Sequence, residues 1–228
     1  LELGDVLVDV DQDQTSQEFQ AIWEGDRWTT IGGLFYLREN VVSHQEAYAD
    51  DLLGGFLGGG TFTRTVDDDL QTTSFAAYVN STYQLTDRLS ISGGLRYTEE
   101  EKDYFRTTST FSSNILFTAN PARPPVNIDH TWDDLSGLIS IDYQLTDNFL
   151  LYGRVAQGFK SGGFNGRANN PGEEAPYDPE TVTSYEAGFK SDWMDNRLRA
   201  NFAVFYNDYR DFQARVSNLT TDPGTGLP

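Results

Sequence analysis

The segment Tyr83–Ser92 reads YQLTDRLSIS, two strand-like runs on either side of a short polar turn. Nearly the same order returns at Tyr143–Tyr152, which reads YQLTDNFLLY. Shorter versions occur at Trp23–Trp28 (WEGDRW) and Trp193–Leu198 (WMDNRL). Each segment predicts a β-hairpin, because so short a turn can join only antiparallel neighbours. The tight turns are expected at 25–26, 86–87, 146–148 and 194–196.

Working outward from these turns, alternating polarity predicts eight strands. In the fifth strand Leu135, Ile139 and Ile141 alternate with Ser136 and Ser140, as a two-faced strand requires. Alternation shows that the two faces differ in polarity, but not which solvent each face meets. The predicted strands are 16–24, 28–40, 72–85, 89–105, 132–145, 149–161, 182–193 and 198–213.

Long stretches rich in Gly, Pro and acidic residues separate the hairpins, at 41–71, 106–130 and 162–178. Short turns at one end and long loops at the other are typical of an up-and-down outer-membrane barrel. Several strands exceed the usual length in globular sheets, and aromatic residues cluster beside the short turns. The predicted fold is therefore all-β, an antiparallel up-and-down transmembrane β-barrel, here a partial sector of about eight strands. A soluble sandwich or barrel is the alternative.

The composition agrees with a membrane wall built from strands. The chain has 228 residues, of which 38% are hydrophobic and 14% aromatic, and it has no cysteine. It contains no apolar run approaching the ~18 residues of a transmembrane helix, whereas a spanning strand needs only ~9–11. The net charge of −19 argues against nucleic acid as a partner. The absence of cysteine excludes disulfides and thiolate metal sites.

Four segments, in this order along the chain, resemble barrel strands of TonB-dependent outer-membrane receptors. They are Ile91–Thr98 (ISGGLRYT), Leu151–Asn165 (LYGRVAQGFKSGGFN), Thr183–Ser191 (TSYEAGFKS) and Ala203–Tyr209 (AVFYNDY). The resemblance extends from about residue 16 to residue 215. It implies a plugged barrel of about 22 strands in the bacterial outer membrane, driven by the TonB complex.

The same resemblance implies that 1–228 is a partial barrel domain, with the plug domain and the C-terminal strands absent. The edges are then expected at 16–24 and 198–213, unpaired with each other. The implied function is TonB-driven uptake of a bulky, scarce solute, above all a ferric siderophore. The expected partners are outer-membrane lipid, a small solute and the TonB complex through the missing N-terminal region. A passive pore and a soluble β-sheet binding protein are the alternative functions.

The cost of placing charge in hydrocarbon predicts which strand residues face lipid and which face the lumen. Charged lumen residues are expected to pair with each other or with the plug more often than with solute. In the long loops, Phe164, Arg167 and Tyr177 are candidate solute contacts by location alone. The residues expected to face lipid are Leu95, Ile139, Ile141, Phe189, Phe202 and Val204. The residues expected to face the lumen are Arg96, Arg154, Lys160, Glu186, Lys190 and Arg199.

No catalytic, metal or cofactor site is predicted. Asp9–Asp13 begins like a calcium loop, but Gln14 and Gln20 stand where the motif needs Gly and Glu, so a solvated acidic loop is expected. His44 and His130, both placed in predicted loops, have no Ser or Cys partner in a recognisable catalytic arrangement. The chain is therefore not expected to be an enzyme.

Overall fold

The computed structural model describes residues 5–49, 60–113, 124–166, 168 and 173–214, and eight strands form one antiparallel sheet. No helix in these ranges is long and apolar enough to cross a membrane. The strands are β1 (Asp5–Glu24), β2 (Trp28–Tyr48), β3 (Phe62–Thr86), β4 (Leu89–Ser112), β5 (Val126–Thr146), β6 (Phe149–Lys160), β7 (Glu180–Trp193) and β8 (Leu198–Arg210).

Each strand pairs with the next strand in sequence, and every pair is antiparallel. The predicted sequential order is therefore confirmed. The tight turns lie at 25–27, 87–88, 147–148 and 194–197, within a residue of the predicted positions. All four turns consequently lie at one end of the sheet.

The recurring YQLTD sequence corresponds to a recurring hairpin geometry. At the β3–β4 turn the Thr86 hydroxyl accepts hydrogen bonds from the backbone N–H groups of Arg88 (3.2 Å) and Leu89 (3.0 Å). The strand register shifts between Gln84 and Thr86, and an equivalent shift falls between Gln144 and Thr146. The repeated residues therefore encode a two-residue turn with an adjacent bulge.

The strands are longer than predicted where the sequence is polar on both faces. Residues 41–48, 62–71, 106–112 and 126–130, expected in loops, belong to β2, β3, β4 and β5. His44 and His130 therefore lie in strands, and Asp9–Asp13, expected to be a loop, lies in β1. The predictions were wrong here because alternation of polarity disappears beyond the apolar band, while backbone pairing continues.

An apolar band covers one face of the sheet next to the tight turns. On β4, Ile91, Leu95 and Tyr97 are exposed on this face. Farther from the turn, the same face of β4 carries Glu99 and Glu101 instead. The apolar stretch is about as long as a membrane-spanning strand, ~9–11 residues. The strands therefore continue well beyond the apolar band, toward the long loops.

The sheet has two edges, β1 and β8, which do not pair with each other within the described residues. All twenty residues of β1 are exposed, as expected for a strand with a neighbour on one side only. Exposed apolar side chains such as Phe19 and Phe205 stand on these edge strands. An edge of this kind leaves backbone N–H and C=O groups without a partner strand.

Candidate functional site

The strand register separates the two predicted sets of residues onto opposite faces of the sheet. Residues directly opposite each other in paired strands share a face. Ile139 pairs with Val155 and Phe189 with Phe202, whereas Arg154 pairs with Glu186. The apolar face carries Leu95, Ile139, Ile141, Phe189, Phe202 and Val204. The polar face carries Arg96, Arg154, Lys160, Glu186, Lys190 and Arg199.

Several polar-face charges have partners within the wall. The Arg96 guanidinium lies over the Tyr78 ring, 5.8 Å from its centroid. The Lys190 ammonium lies 5.7 Å from the Tyr152 ring centroid, and the Tyr152 hydroxyl donates a hydrogen bond to Glu186 at 2.7 Å. Such pairing holds long side chains along the wall and lowers the cost of partly dehydrating them.

At the long-loop end of the polar face, Lys102 anchors the chain that follows β6. Its ammonium donates to the Ser161 hydroxyl at 2.7 Å and to the Gly162 carbonyl oxygen at 2.8 Å. It also forms an ion pair with Glu100 at 3.0 Å, and the Ser161 hydroxyl donates to the same carboxylate. The Lys102 side chain is only 16% exposed. Charged hydrogen bonds with this degree of burial fix the segment against the wall.

Aromatic rings complete the contact between this segment and the wall. Phe164 stacks on Tyr104, with centroids 5.4 Å apart and planes 10° from parallel. Phe164 also contacts Trp132 at 5.8 Å, and the Lys102 ammonium lies 5.5 Å from the Trp132 ring centroid. Tyr104 and Trp132 are both buried. We call Lys102, Tyr104, Trp132 and Phe164 the wall cluster.

The glycines of this segment allow the close approach. A Cβ on Gly162 would lie 2.0 Å from the Tyr177 carbonyl oxygen and 2.5 Å from the Trp132 ring. A Cβ on Gly163 would lie 2.5 Å from the Tyr177 hydroxyl. Gly163 and Tyr177 form an isolated antiparallel bridge, with the Tyr177 N–H donating to the Gly163 carbonyl at 3.0 Å. Only glycine fits between the wall and the returning chain.

Arg106 and Asp68 lie beside the wall cluster, beyond the apolar band. Arg106 is 3% exposed, and its Nε lies 3.6 Å from an Asp68 carboxylate oxygen. The Tyr104 hydroxyl donates to that carboxylate at 2.6 Å. Burial, followed by this hydrogen bond, raises the pKa of the Tyr104 hydroxyl well above its usual range. Tyr104 therefore stays neutral and acts as a hydrogen-bond donor.

The predicted solute contacts occupy different positions in this arrangement. Phe164 is part of the wall cluster, whereas Tyr177 is 45% exposed beside it. Arg167 lies outside the described residues. Sequence reasoning did not single out Lys102, Tyr104, Arg106 or Trp132. Spacing could have pointed to three of them, because Lys102, Tyr104 and Arg106 occupy alternate positions after Arg96 and so lie on the same face of β4.

On the apolar face, but beyond the apolar band, His44 lies between two carboxylates. Its Nδ1 is 2.6 Å from Asp67 and its Nε2 is 3.5 Å from Glu46. The hydrogen bond to Asp67 is the main cause of a raised His44 pKa. The described residues contain no group of three or more His, Cys, Asp or Glu side chains able to hold a metal ion.

Comparison with known proteins connects this arrangement to one family. Residues 4–227 match the family described as TonB dependent receptor-like, beta-barrel. The pesticin receptor of Yersinia pestis is 28% identical over 214 residues, which is 92% of this chain and 29% of that protein. A pesticin receptor of Yersinia enterocolitica has the same identity and coverage. The chain therefore spans less than a third of these relatives.

Solved structures agree on the fold. The ferric yersiniabactin uptake receptor FyuA from Yersinia pestis superposes with a TM-score of 0.74 at 23% identity, over 91% of this chain and 30% of FyuA. The siderophore receptor PiuA from Acinetobacter baumannii gives a TM-score of 0.58 at 15% identity, over 88% of this chain and 32% of PiuA. At such identities the likeness concerns the fold alone.

The expected all-β antiparallel barrel fold and outer-membrane location are confirmed, and the soluble alternative is set aside. The family consists of receptors and transporters and not of enzymes. Since the family match covers nearly every residue, the chain belongs to the TonB-dependent receptor β-barrel family.

Proposed function

We propose that this chain forms part of the wall of a receptor that imports a bulky, scarce solute, namely a ferric siderophore. The relatives that support this are named as a ferric yersiniabactin uptake receptor and a siderophore receptor. The observation that carries the proposal is the segment after β6, which folds onto the polar face: Lys102 donates to the Gly162 carbonyl, and Phe164 stacks on Tyr104.

In this proposal the apolar face contacts lipid and the polar face lines the lumen. The supporting argument is energetic, because an Arg or Lys exposed to lipid at the midplane costs ~2–4 kcal/mol. Arg154 lies on the polar face of β6 and Lys190 on the polar face of β7. The opposite face of both strands carries exposed apolar residues. The lumen-side charges then serve mainly to pair within the wall and with a plug.

The solute would meet the wall cluster and the chain beside it. Tyr177 presents an exposed ring beside the wall cluster, in which Phe164 stacks on Tyr104. We include Arg167 as a third contact, because it follows Phe164 closely and a cation suits an anionic chelate. Energy coupling to TonB would use parts of the receptor outside residues 1–228.

The first prediction concerns Lys102 and Tyr177 in the full-length receptor. Lys102→Met removes the bonds that hold the Ser161–Phe164 segment, and Tyr177→Ala removes the exposed ring. Each change is expected to weaken binding of the ferric chelate by about tenfold, since either loses roughly 1.4 kcal/mol of contact. Calorimetric titration of the purified receptor with a panel of ferric siderophores measures the effect.

The matched control is Lys190→Met, which removes another polar-face ammonium but leaves the wall cluster intact. This control should bind the chelate as the unmodified receptor does. Equal affinity of all three variants would contradict the assigned site.

Uptake of radiolabelled iron with and without a proton-motive force separates the transporter from a passive pore, because only TonB-driven import stops when the force is collapsed.

A further inference from the structure

The chain leaves β8 in a sharp turn and returns toward the start of β7. Asp211, the first residue after β8, has a φ of 54°. Aspartate tolerates this left-handed conformation better than most residues with a Cβ. Two residues later, the backbone N–H of Gln213 donates to a Glu180 carboxylate oxygen at 2.8 Å. Glu180 is the first residue of β7, so this bond fixes Gln213 beside the segment that joins β6 to β7.

The side-chain amide of Gln213 joins the two ends of that segment, residues 161–178. Its Nε2 donates to the carbonyl oxygen of Ser161, directly after β6, at 2.9 Å. It also donates to the carbonyl oxygen of Asp178, shortly before β7, at 3.1 Å. The amide nitrogen of glutamine carries two hydrogens, so it can serve both acceptors at once. We call this pair of hydrogen bonds the Gln213 clasp.

The clasp lies next to the residues through which the wall is proposed to contact the solute. At one end of the segment, Lys102 holds Ser161 and the residue after it. At the other end, the exposed ring of Tyr177 comes directly before the second carbonyl. Among the described residues beyond the last β6–β7 pair, one backbone hydrogen bond joins the two ends, from the Tyr177 N–H to the Gly163 carbonyl. Gln213 adds two hydrogen bonds to this one.

We propose that Gln213 is a positioning residue of the solute site. By joining both ends of segment 161–178, its amide holds Phe164 in the wall cluster and keeps the Tyr177 ring beside that cluster. Position 213 requires a donor, because both groups that its side chain meets are carbonyl oxygens. The inference rests on the proposed function, since it assumes that the solute contacts this segment.

Gln213→Glu in the full-length receptor tests the clasp. The two side chains have the same shape, but a carboxylate has no hydrogen to donate and would face two carbonyl oxygens. The bond to Glu180 comes from the backbone and is kept. Calorimetric titration with the panel of ferric siderophores should show binding about tenfold weaker than that of the unmodified receptor. Global unfolding in urea should hardly change, because loops open locally before the strands unfold.

A rescue variant and a matched control accompany this change. Gln213→Lys restores a donor that can serve both carbonyls, so it should recover most of the affinity. Gln144 also donates to two carbonyl oxygens, those of Thr146 (2.7 Å) and Asp147 (3.3 Å), but at a tight turn at the opposite end of the sheet. Gln144→Glu should therefore bind as the unmodified receptor does. Unchanged affinity in Gln213→Glu, an equal loss in Gln144→Glu, or no recovery in Gln213→Lys would each overturn the proposal.

Hydrogen–deuterium exchange tests the clasp without any solute. Peptides that contain the Tyr177 N–H should exchange about tenfold faster in Gln213→Glu and at the unmodified rate in Gln144→Glu. Unchanged exchange in Gln213→Glu would also overturn the proposal. If the unmodified receptor bound no ferric siderophore, the proposed function would fail, and the exchange rates would still decide whether Gln213 holds the segment. Heat-modifiable migration in electrophoresis checks folding, and Gln213→Asn, whose amide is one carbon shorter, replaces a Glu variant that does not fold.

Discussion

At the scale of single residues, His44 shows how the strands beyond the apolar band use side-chain pairs. It lies opposite Asp67 in the β2–β3 register, and the two side chains meet at 2.6 Å. The pKa of His44 is raised, first by this hydrogen bond and then by the charge of the carboxylate. A proton on the imidazole therefore favours the folded strand pair.

The corresponding prediction is a pH dependence with a defined sign. Because the His44 pKa is raised on folding, its stabilising contribution is complete below the unfolded value of ~6.5 and is lost as the pH rises through the folded value. Asp67→Asn should lower the His44 pKa and weaken that dependence, leaving only the smaller contribution of Glu46. Titration of the imidazole resonances by NMR, in detergent, measures the pKa, and urea unfolding at several pH values measures the dependence of stability on pH. Asp147→Asn, in a distant turn, should leave the His44 pKa unchanged, and a similar shift there would refute the pairing.

At the scale of the elements, the turn between β7 and β8 differs from the other three. Met194, Asp195 and Asn196 all have positive φ, at 54°, 56° and 65°. This left-handed region is unfavourable for residues with a Cβ, but Asp and Asn tolerate it better than Met does, so Met194 is the residue of the three with the most to gain from replacement. The turn is held by the pairing of the strands on either side.

We therefore predict that Met194→Gly stabilises the barrel. Relief of the left-handed strain, less the added entropy of glycine in the unfolded chain, should amount to about 0.5–1 kcal/mol. Urea unfolding of the full-length receptor in lipid vesicles measures the change. Asp147→Gly is the matched control, because Asp147 lies in a tight turn but has no positive φ. It should be neutral or destabilising. Stabilisation by both substitutions would remove the conformational explanation.

At the scale of the whole molecule, the two faces of the sheet must meet different surroundings. Ile139 is 66% exposed on the apolar face, and Ser140 follows it on the polar face. If Ile139 contacts lipid as predicted, Ile139→Lys should destabilise the barrel by ~2–4 kcal/mol, which is the cost of a cation near the bilayer midplane. Ser140→Lys, one residue away, should cost much less. Folding yield into vesicles compares the two, and equal yields would refute the assignment of the faces.

The sequence determined the parts of this protein that depend on local chemistry. The YQLTD turns, the antiparallel order and the separation of Leu95 from Arg96 follow from short-range rules: a two-residue turn joins adjacent strands, and side chains alternate between faces. The family resemblance rested on those same strand segments. All of these features were predictable because each is set within about ten residues of chain.

The tertiary structure alone decided the strand lengths and the wall cluster. Alternation of polarity vanishes beyond the apolar band, so nothing in the local sequence around His130 distinguishes a paired strand from a loop. Lys102 meets Gly162, and Tyr104 stacks on Phe164, only because the chain after β6 returns across the polar face of β4 and β5. Contacts between residues so far apart in sequence depend on the register of the sheet and on the path of the loop. The polarity pattern along a single strand predicts neither.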